Sequence, residues 1–143
     1  MNAPRRLTQL PSWLLSEAAR RGHQLVSEGF AQEGVRKAHF TVLVALDEHG
    51  PASQAELGRR LWIDRSDMVA VLNDLEDAGY VERTRDELDR RRNVVALTAS
   101  GIDALERLNA RADAAQDTLL AALSVQERRE LERLLTLLTT RSA

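Results

Sequence analysis

At Gly79 the spacing of apolar residues along this chain changes, and that change constrains the fold more than any other feature. Upstream, Met68, Val71, Leu72 and Leu75 recur at the three- and four-residue intervals of one helix face. Downstream, Tyr80, Val81, Glu82 and Arg83 open a strand, and Val94, Val95, Ala96 and Leu97 form its return around a charged tip from Thr84 to Asn93. Both ends of the helix are marked: Asp64 offers an N-cap oxygen, and Gly79 stands where a left-handed residue ends a helix. Just before it, Ser53-Gln54-Ala55-Glu56 reads as a capping box, in which hydroxyl and carboxylate each take one orphan amide. That box starts a helix through Leu57 and Leu61 with room for about two turns. An earlier helix, carrying Phe40, Val42, Leu43, Val44 and Leu46, is closed by His49-Gly50-Pro51. The predicted class is mainly α with a small β-hairpin.

The flanking segments read as helices too apolar to stand alone. Pro4, Arg5 and Arg6 open a polar tail, and Pro11-Ser12 starts a helix bearing Trp13, Leu14, Leu15, Ala18, Ala19, Leu25, Val26 and Phe30. Gly29 and Gly34 flank the break after it. From Thr98 the chain is helical again, with Ile102, Leu105, Leu108, Ala112, Ala115, Leu119 and Ala122 on one face. Ser124-Val125-Gln126-Glu127 is a second capping box, and it launches a helix with Leu131, Leu134, Leu135 and Leu138. A helix of about 22 residues spans roughly 33 Å, longer than a core this small can cover. The economical cover is a second copy of the chain. Residues 1–34 and 99–143 are therefore expected to form a dimer interface around a module at 35–98, one intertwined domain per subunit.

Composition excludes several functions. The chain has 143 residues and no cysteine, which removes disulfides, thiolate metal sites and thiol switches. His23, His39 and His49 lack tight ligand spacing, so neither a metal site nor a cofactor is expected. Two Trp, one Tyr and two Phe are too few for a base-stacking platform. There is no nucleophile beside a base and no phosphate-cradling Gly-rich loop, so an enzyme is not expected. Arg20 and Arg21 interrupt the first helix, no stretch reaches membrane length, and a cytoplasmic protein is expected. Twenty basic against 22 acidic residues give a formal charge of -2, which at face value argues against a polyanionic partner. The local count differs: from Arg83 to Arg92 there are five Arg against Asp86, Glu87 and Asp89. All the basic residues except Lys37 are Arg, the better donor for phosphates and narrow grooves.

A short helix, a tight turn, a capped helix and a charged hairpin is the order of a winged helix-turn-helix. The stretch Leu57-Gly58-Arg59-Arg60-Leu61, then Asp64-Arg65-Ser66, Leu72-Asn73-Asp74-Leu75-Glu76 and Ala78-Gly79-Tyr80-Val81-Glu82-Arg83 resembles the core of the MarR/SlyA family of transcriptional regulators. Asp89-Arg90-Arg91, followed by Val95, Leu97, Thr98 and Gly101, resembles that family's D-x-R wing and the junction behind it. The resemblance implies a homodimer on duplex DNA, most simply a repressor on a pseudo-palindromic operator. It places Ser66, Asp67, Ala70 and Asn73 on the groove side of the recognition helix, with Arg65 at its head. It gives Ser53 and Gln54 to backbone phosphate, Arg91 to the minor groove with Asp89 orienting it, and Arg90 and Arg92 to further phosphates.

Asp67, Asp74, Glu76 and Asp77 depart from a DNA-reading pattern, since no Lys or Arg lies between Ser66 and Gly79. A rear-face position for Asp74, Glu76 and Asp77 would keep them from phosphates, and Asp67 either accepts from a cytosine amino group or serves the helix dipole. The resemblance also implies an aromatic or phenolic acid as releasing ligand, for which Trp13, Ser16, Arg20, His23, His39 and Trp62 are the candidates. The opposing assignment makes both tryptophans core anchors, with Trp62 packing the turn, and leaves Arg20 and Arg21 solvated or bonded to the partner subunit. Two other functions stay open: a regulator that binds DNA without a ligand, and a helical dimer that acts through protein partners.

Overall fold

The computed structural model describes residues 2–140. Along them run α1 (Arg5–Thr8), α2 (Pro11–Ala31), α3 (Lys37–His49), β1 (Ala52–Ser53), α4 (Gln54–Leu61), α5 (Arg65–Asp77), β2 (Val81–Arg85), β3 (Asn93–Leu97), α6 (Ala99–Leu119) and α7 (Val125–Thr139). Side-chain caps set the helix starts. Asp64 Oδ1 accepts from the Asp67 amide at 2.8 Å at the head of α5. Ser124 and Glu127 complete the reciprocal box of α7, at 3.1 and 2.9 Å. Ser53 Oγ accepts from the Glu56 amide at 3.1 Å, but the expected second half of that box does not form. The Glu56 carboxylate instead bonds Arg92 in the tip of the hairpin. A long-range ion pair has taken the carboxylate that local spacing assigned to a cap.

Two elements go beyond the sequence reading. Arg5 and Arg6 lie in the single turn of α1, not in a polar tail. Ala52 and Ser53 form a strand that pairs antiparallel with β3, Ala52 opposite Val95 and Ser53 opposite Val94. With β2 on the other side of β3, from Val81↔Leu97 to Arg85↔Asn93, the sheet order is β1-β3-β2.

Two compact units are present, divided within α2 and α6. In the unit Val26–Ala112, Phe30, Leu43, Leu57, Met68, Leu72, Leu75, Val95 and Leu108 are fully buried in one cluster. The Phe30 and Phe40 rings meet with centroids 4.8 Å apart. A module of 35–98 was expected. Its core also takes Phe30 from the end of α2 and Leu105 and Leu108 from the start of α6, because those side chains fill the same cluster. In the other unit, formed by the described residues on either side, Ala115 is buried. Leu14, Leu15, Val125, Leu134, Leu137 and Leu138 there are exposed apolar side chains.

The junction between hairpin and α6 depends on a missing side chain. Thr98 Oγ1 donates to the Gly79 carbonyl at 2.5 Å and accepts from the Gly101 amide at 3.0 Å, while the Thr98 amide donates to the Tyr80 carbonyl at 3.1 Å. A Cβ at Gly101 would overlap that Tyr80 carbonyl, which is backbone and cannot swing aside. Gly79 itself has φ 80°, the left-handed conformation that its place after α5 requires. We expect Gly101→Ala to cost about 1–3 kcal/mol, the range of overpacking changes, read as a lower urea midpoint with unchanged slope.

Candidate nucleic-acid interface

Helix α5 buries Met68, Val71, Leu72 and Leu75 against the core, and its 3.6-residue period then fixes what faces outward. Ser66, Ala70 and Asn73 lie opposite the buried stripe and are exposed. Arg65, Val69 and Glu76 lie on one flank of that outward line, Asp67 and Asp74 on the other.

One acid on each flank, Asp74 and Glu76, is fastened. Asp74 Oδ2 accepts from His39 Nε2 of α3 at 2.9 Å and stands 3.7 Å from the Arg36 guanidinium. His39 is buried, and its Nδ1 accepts from the Arg36 amide at 2.9 Å, which leaves the ring proton on Nε2 for Asp74. On the opposite flank Arg83 of β2 donates to both Glu76 oxygens, at 3.1 and 3.0 Å, and to Asn73 Oδ1 at 2.7 Å. The hydrogen bond from Arg83 holds the Glu76 carboxyl below the ordinary glutamate range, and the same bond raises Arg83. Asp64 is likewise lowered, first by the Asp67 amide it accepts from and then by the Ser66 hydroxyl. The expectation that Asp74, Glu76 and Asp77 share the rear face is corrected. Asp74 and Glu76 are flank ties, and Asp77 lies on the outward line about three turns from Ser66, beside His39 and Asp74 in a cavity of 310 Å³.

The wing divides its arginines by partner. Asp89 Oδ1 accepts from the Arg91 amide at 3.0 Å and from Arg91 Nε at 3.3 Å, while the Arg91 side chain remains 93% exposed. Arg92 bonds Glu56 of α4 and lies 3.8 Å from Asp86, so its charge is spent on anchoring the wing tip. Arg90 is exposed. Between the heads of α4 and α5 and the wing lies a concavity of about 750 Å³, lined by Gln54, Arg59, Arg65, Arg91 and Arg92 with Glu56. Charge and shape suit a phosphate backbone there.

The structure thus brings Gln54, Arg65, Arg91 and Arg92 to one surface, with Ser66, Asp67 and Ala70 exposed along α5 beside it. Ser53 also lines this concavity: it is buried in β1, its hydroxyl oxygen accepts from the Glu56 amide at 3.1 Å, and its O–H is left as a donor. Arg59, Val69 and Arg83 were missed. Arg59 and Val69 were legible as positions off the buried faces of their helices, whereas Arg83 depends on a pairing between α5 and β2. Two ligand candidates are also corrected. His39 is consumed by Asp74 and Arg36. Trp62 neither packs the turn nor lines a cavity with His39: it caps α4 with φ 58° and is 87% exposed, because a left-handed residue at that point turns its side chain out. Trp13 is half-buried on α2, with Ser16, Arg20 and His23 exposed, and Arg20 bonds Glu17 at 2.7 Å.

The Arg83 network gives a pH-dependent test. A carboxylate lowered in the folded state adds stability above its ordinary pKa, and that contribution is lost as pH falls through the lowered value. Arg83→Gln is therefore expected to lower the urea midpoint near neutral pH. The gap between variant and wild type should stay constant down to about pH 5 and narrow towards about pH 3.

Among the described residues no group of three or more His, Asp or Glu is placed to hold a metal, and no helix is long and apolar enough to cross a membrane. The model of the MarR family matches residues 33–92. The HTH-type transcriptional repressor Rv2887 of Mycobacterium tuberculosis is 34% identical over 110 residues, which cover 77% of this chain and 79% of that protein. The repressor NicR of Pseudomonas putida is 28% identical over 127 residues, covering 89% of this chain and 80% of NicR. The crystal structure of a probable transcriptional regulator from Pseudomonas aeruginosa is 32% identical, with TM-score 0.78 over 92% of this chain and 98% of that one. The M. tuberculosis protein Rv2887 in complex with DNA is similar at TM-score 0.80 and 29% identity, over 97% of this chain and all of that one. By sequence, and by a fold shared over nearly its whole length, this chain belongs to the MarR family of winged-helix transcriptional regulators.

Proposed function

We propose that this protein is a homodimeric repressor in the cytoplasm that binds a pseudo-palindromic operator and releases it on binding a small aromatic or phenolic acid. The observation that carries the DNA half is the concavity where Arg59, Arg65 and Arg91 converge between two helix heads and the wing. The heads of α4 and α5 add amides and the positive ends of their dipoles, which favour phosphate. In this reading Gln54, Arg59 and Arg90 hold phosphates, while Arg65, Ser66 and Asp67 face the major groove. Arg91 enters the minor groove with Asp89 fixing its guanidinium. Arg92 holds the wing tip. Similarity to Rv2887, whose structure is a complex with DNA, supports DNA binding.

The dimer half rests on the terminal helices, where exposed Leu14, Leu134, Leu137 and Leu138 need cover that the single chain does not give them. The ligand half rests on Trp13, Ser16, Arg20 and His23, which recur at helical spacing on α2 and offer a ring face, a cation and donors to an anionic aromatic ring. The protein-partner alternative drew its support from the acids of α5. Two of the four, Asp74 and Glu76, are ties within the fold, which reduces the support for that alternative to Asp67 and Asp77.

Band-shift titration at two salt concentrations tests the DNA half. Arg65→Ala and Arg91→Ala should each weaken binding by about tenfold or more and reduce the slope of log affinity against log salt by about 2 per dimer. Absence of any duplex affinity at low salt would sink the reading. Thermal melting with a panel of phenolic and aromatic carboxylates tests the ligand half: a stabilising shift is expected in the wild type and not in Arg20→Ala. A flat panel leaves a regulator that works by occupancy alone.

A further inference from the structure

We infer that the middle of α5 reads operator DNA through methyl groups, with Val69 and Ala70 placed against the C5-methyl of thymine. The inference deepens the DNA-binding reading above and rests on it. Along the outward line, the polar side chains at either end already have partners. Ser66 Oγ donates to Asp64 Oδ1 at 3.0 Å, and Asn73 Oδ1 accepts from Arg83 at 2.7 Å. Between them on that line stands Ala70, with Val69 beside it on the adjoining flank; both are exposed, and neither carries a hydrogen-bonding group. Val69 is 37% exposed although apolar, on the flank where its neighbours are Arg65 and Glu76. It lines a shallow depression of about 610 Å³ with Asp64, Arg65 and Ser66.

Chemistry then selects the base. The major-groove edges present acceptors on guanine, a donor on cytosine, and both on adenine, and only thymine presents a methyl. Two apolar side chains facing a donor or acceptor would strand it without water, whereas against a methyl they remove apolar surface from water on both sides. Valine in a helix is held near one χ1 rotamer, so its methyls meet the groove already ordered. Arg65, one turn nearer the head of α5, supplies the charge that brings this uncharged stretch to the groove floor.

The test uses a duplex enriched from a randomised pool by the full-length wild-type protein, then remade with deoxyuridine for every thymine, which deletes the methyls alone. Burial of one methyl is worth about fourfold in affinity, so a dimer should bind the uracil duplex roughly fifteenfold more weakly. Val69→Ala should bind the thymine duplex several-fold more weakly than wild type and lose little more on the uracil duplex, with its salt slope unchanged. If Val69→Ala lowers the thermal midpoint, Val69→Thr, which keeps the shape and replaces one methyl by hydroxyl, takes its place. Equal wild-type affinity for the two duplexes overturns the inference, and so does a uracil penalty that is the same in wild type and variant. Failure to enrich any duplex at low salt overturns the DNA-binding reading as well, and is thereby told apart from failure of the methyl contact alone.

Discussion

The position of α5 depends on two ties made by its own carboxylates, Asp74 to His39 on one flank and Glu76 to Arg83 on the other. A helix that reads a groove must present its outer face at a fixed height and rotation, and the flank ties add directional bonds to the packing of Met68, Val71, Leu72 and Leu75 that sets that face. Ties on opposite flanks oppose each other, so a roll in either direction stretches one of them. Surface ion pairs contribute little to stability on average, but a guanidinium bonded to both carboxylate oxygens and to a neighbouring amide is directional. Arg83 is only 21% exposed, which limits the water that competes for it. The same pairs answer the charge question, since a carboxylate bonded to a guanidinium presents far less field to a phosphate than a bare one.

Neighbouring arginines in the wing acquire different work from their partners. Arg91 is bonded to an acid two residues away, which orients it without withdrawing it from solvent. Arg92 is bonded to Glu56, a residue of α4 fixed by its own helix, and so joins wing and helix-turn-helix. The near-neutral total of the chain is compatible with a nucleic-acid partner because these pairs remove opposite charges together. On the surface shared by the helix heads and the wing, Arg59, Arg65 and Arg90 are exposed, and Arg91 stays exposed although it is bonded to Asp89. Such a surface gains little from long-range attraction and relies on contacts made at short range.

How far the sequence discloses this depends on the range of each interaction. Asp64, Ser124 with Glu127, and Gly79 are legible because a cap concerns residues within one turn, and all of them stand as read. Glu56 shows the limit of that reasoning: its spacing from Ser53 is that of a capping box, and an arginine 36 residues away captures it. Strand β1 is two residues long and exists only because β3 lies beside it, so no periodicity announces it. For Trp62 the sequence leaves two assignments, a ligand contact beside the recognition helix or a core anchor that packs the turn. The turn after α4 requires a left-handed residue there, and backbone geometry overrode hydrophobicity. The groove-facing residues Ser66, Asp67, Ala70 and Asn73 come from the resemblance alone, and Val69 is not among them.

The two units differ in how they are stabilised, and this bears on how a regulator of this kind responds to a signal. Val26–Ala112 has its own fully buried cluster, a three-stranded sheet and ties among α3, α4, α5 and the hairpin. The other unit keeps many leucines in water, so its helices gain most of their stabilisation from whatever covers them. In the proposed dimer that cover is the second chain, and the distance between the two reading surfaces is then set by helices that touch no DNA. The proposed ligand on α2 would have no need to disturb Arg65 or Arg91. A small change in helix packing would alter the spacing of two intact surfaces, and recognition of half-sites one helical turn apart tolerates little error. In the proposed dimer the two units are complementary: the self-contained core of Val26–Ala112 would keep the contacts constant while the cover of the terminal helices would set their separation.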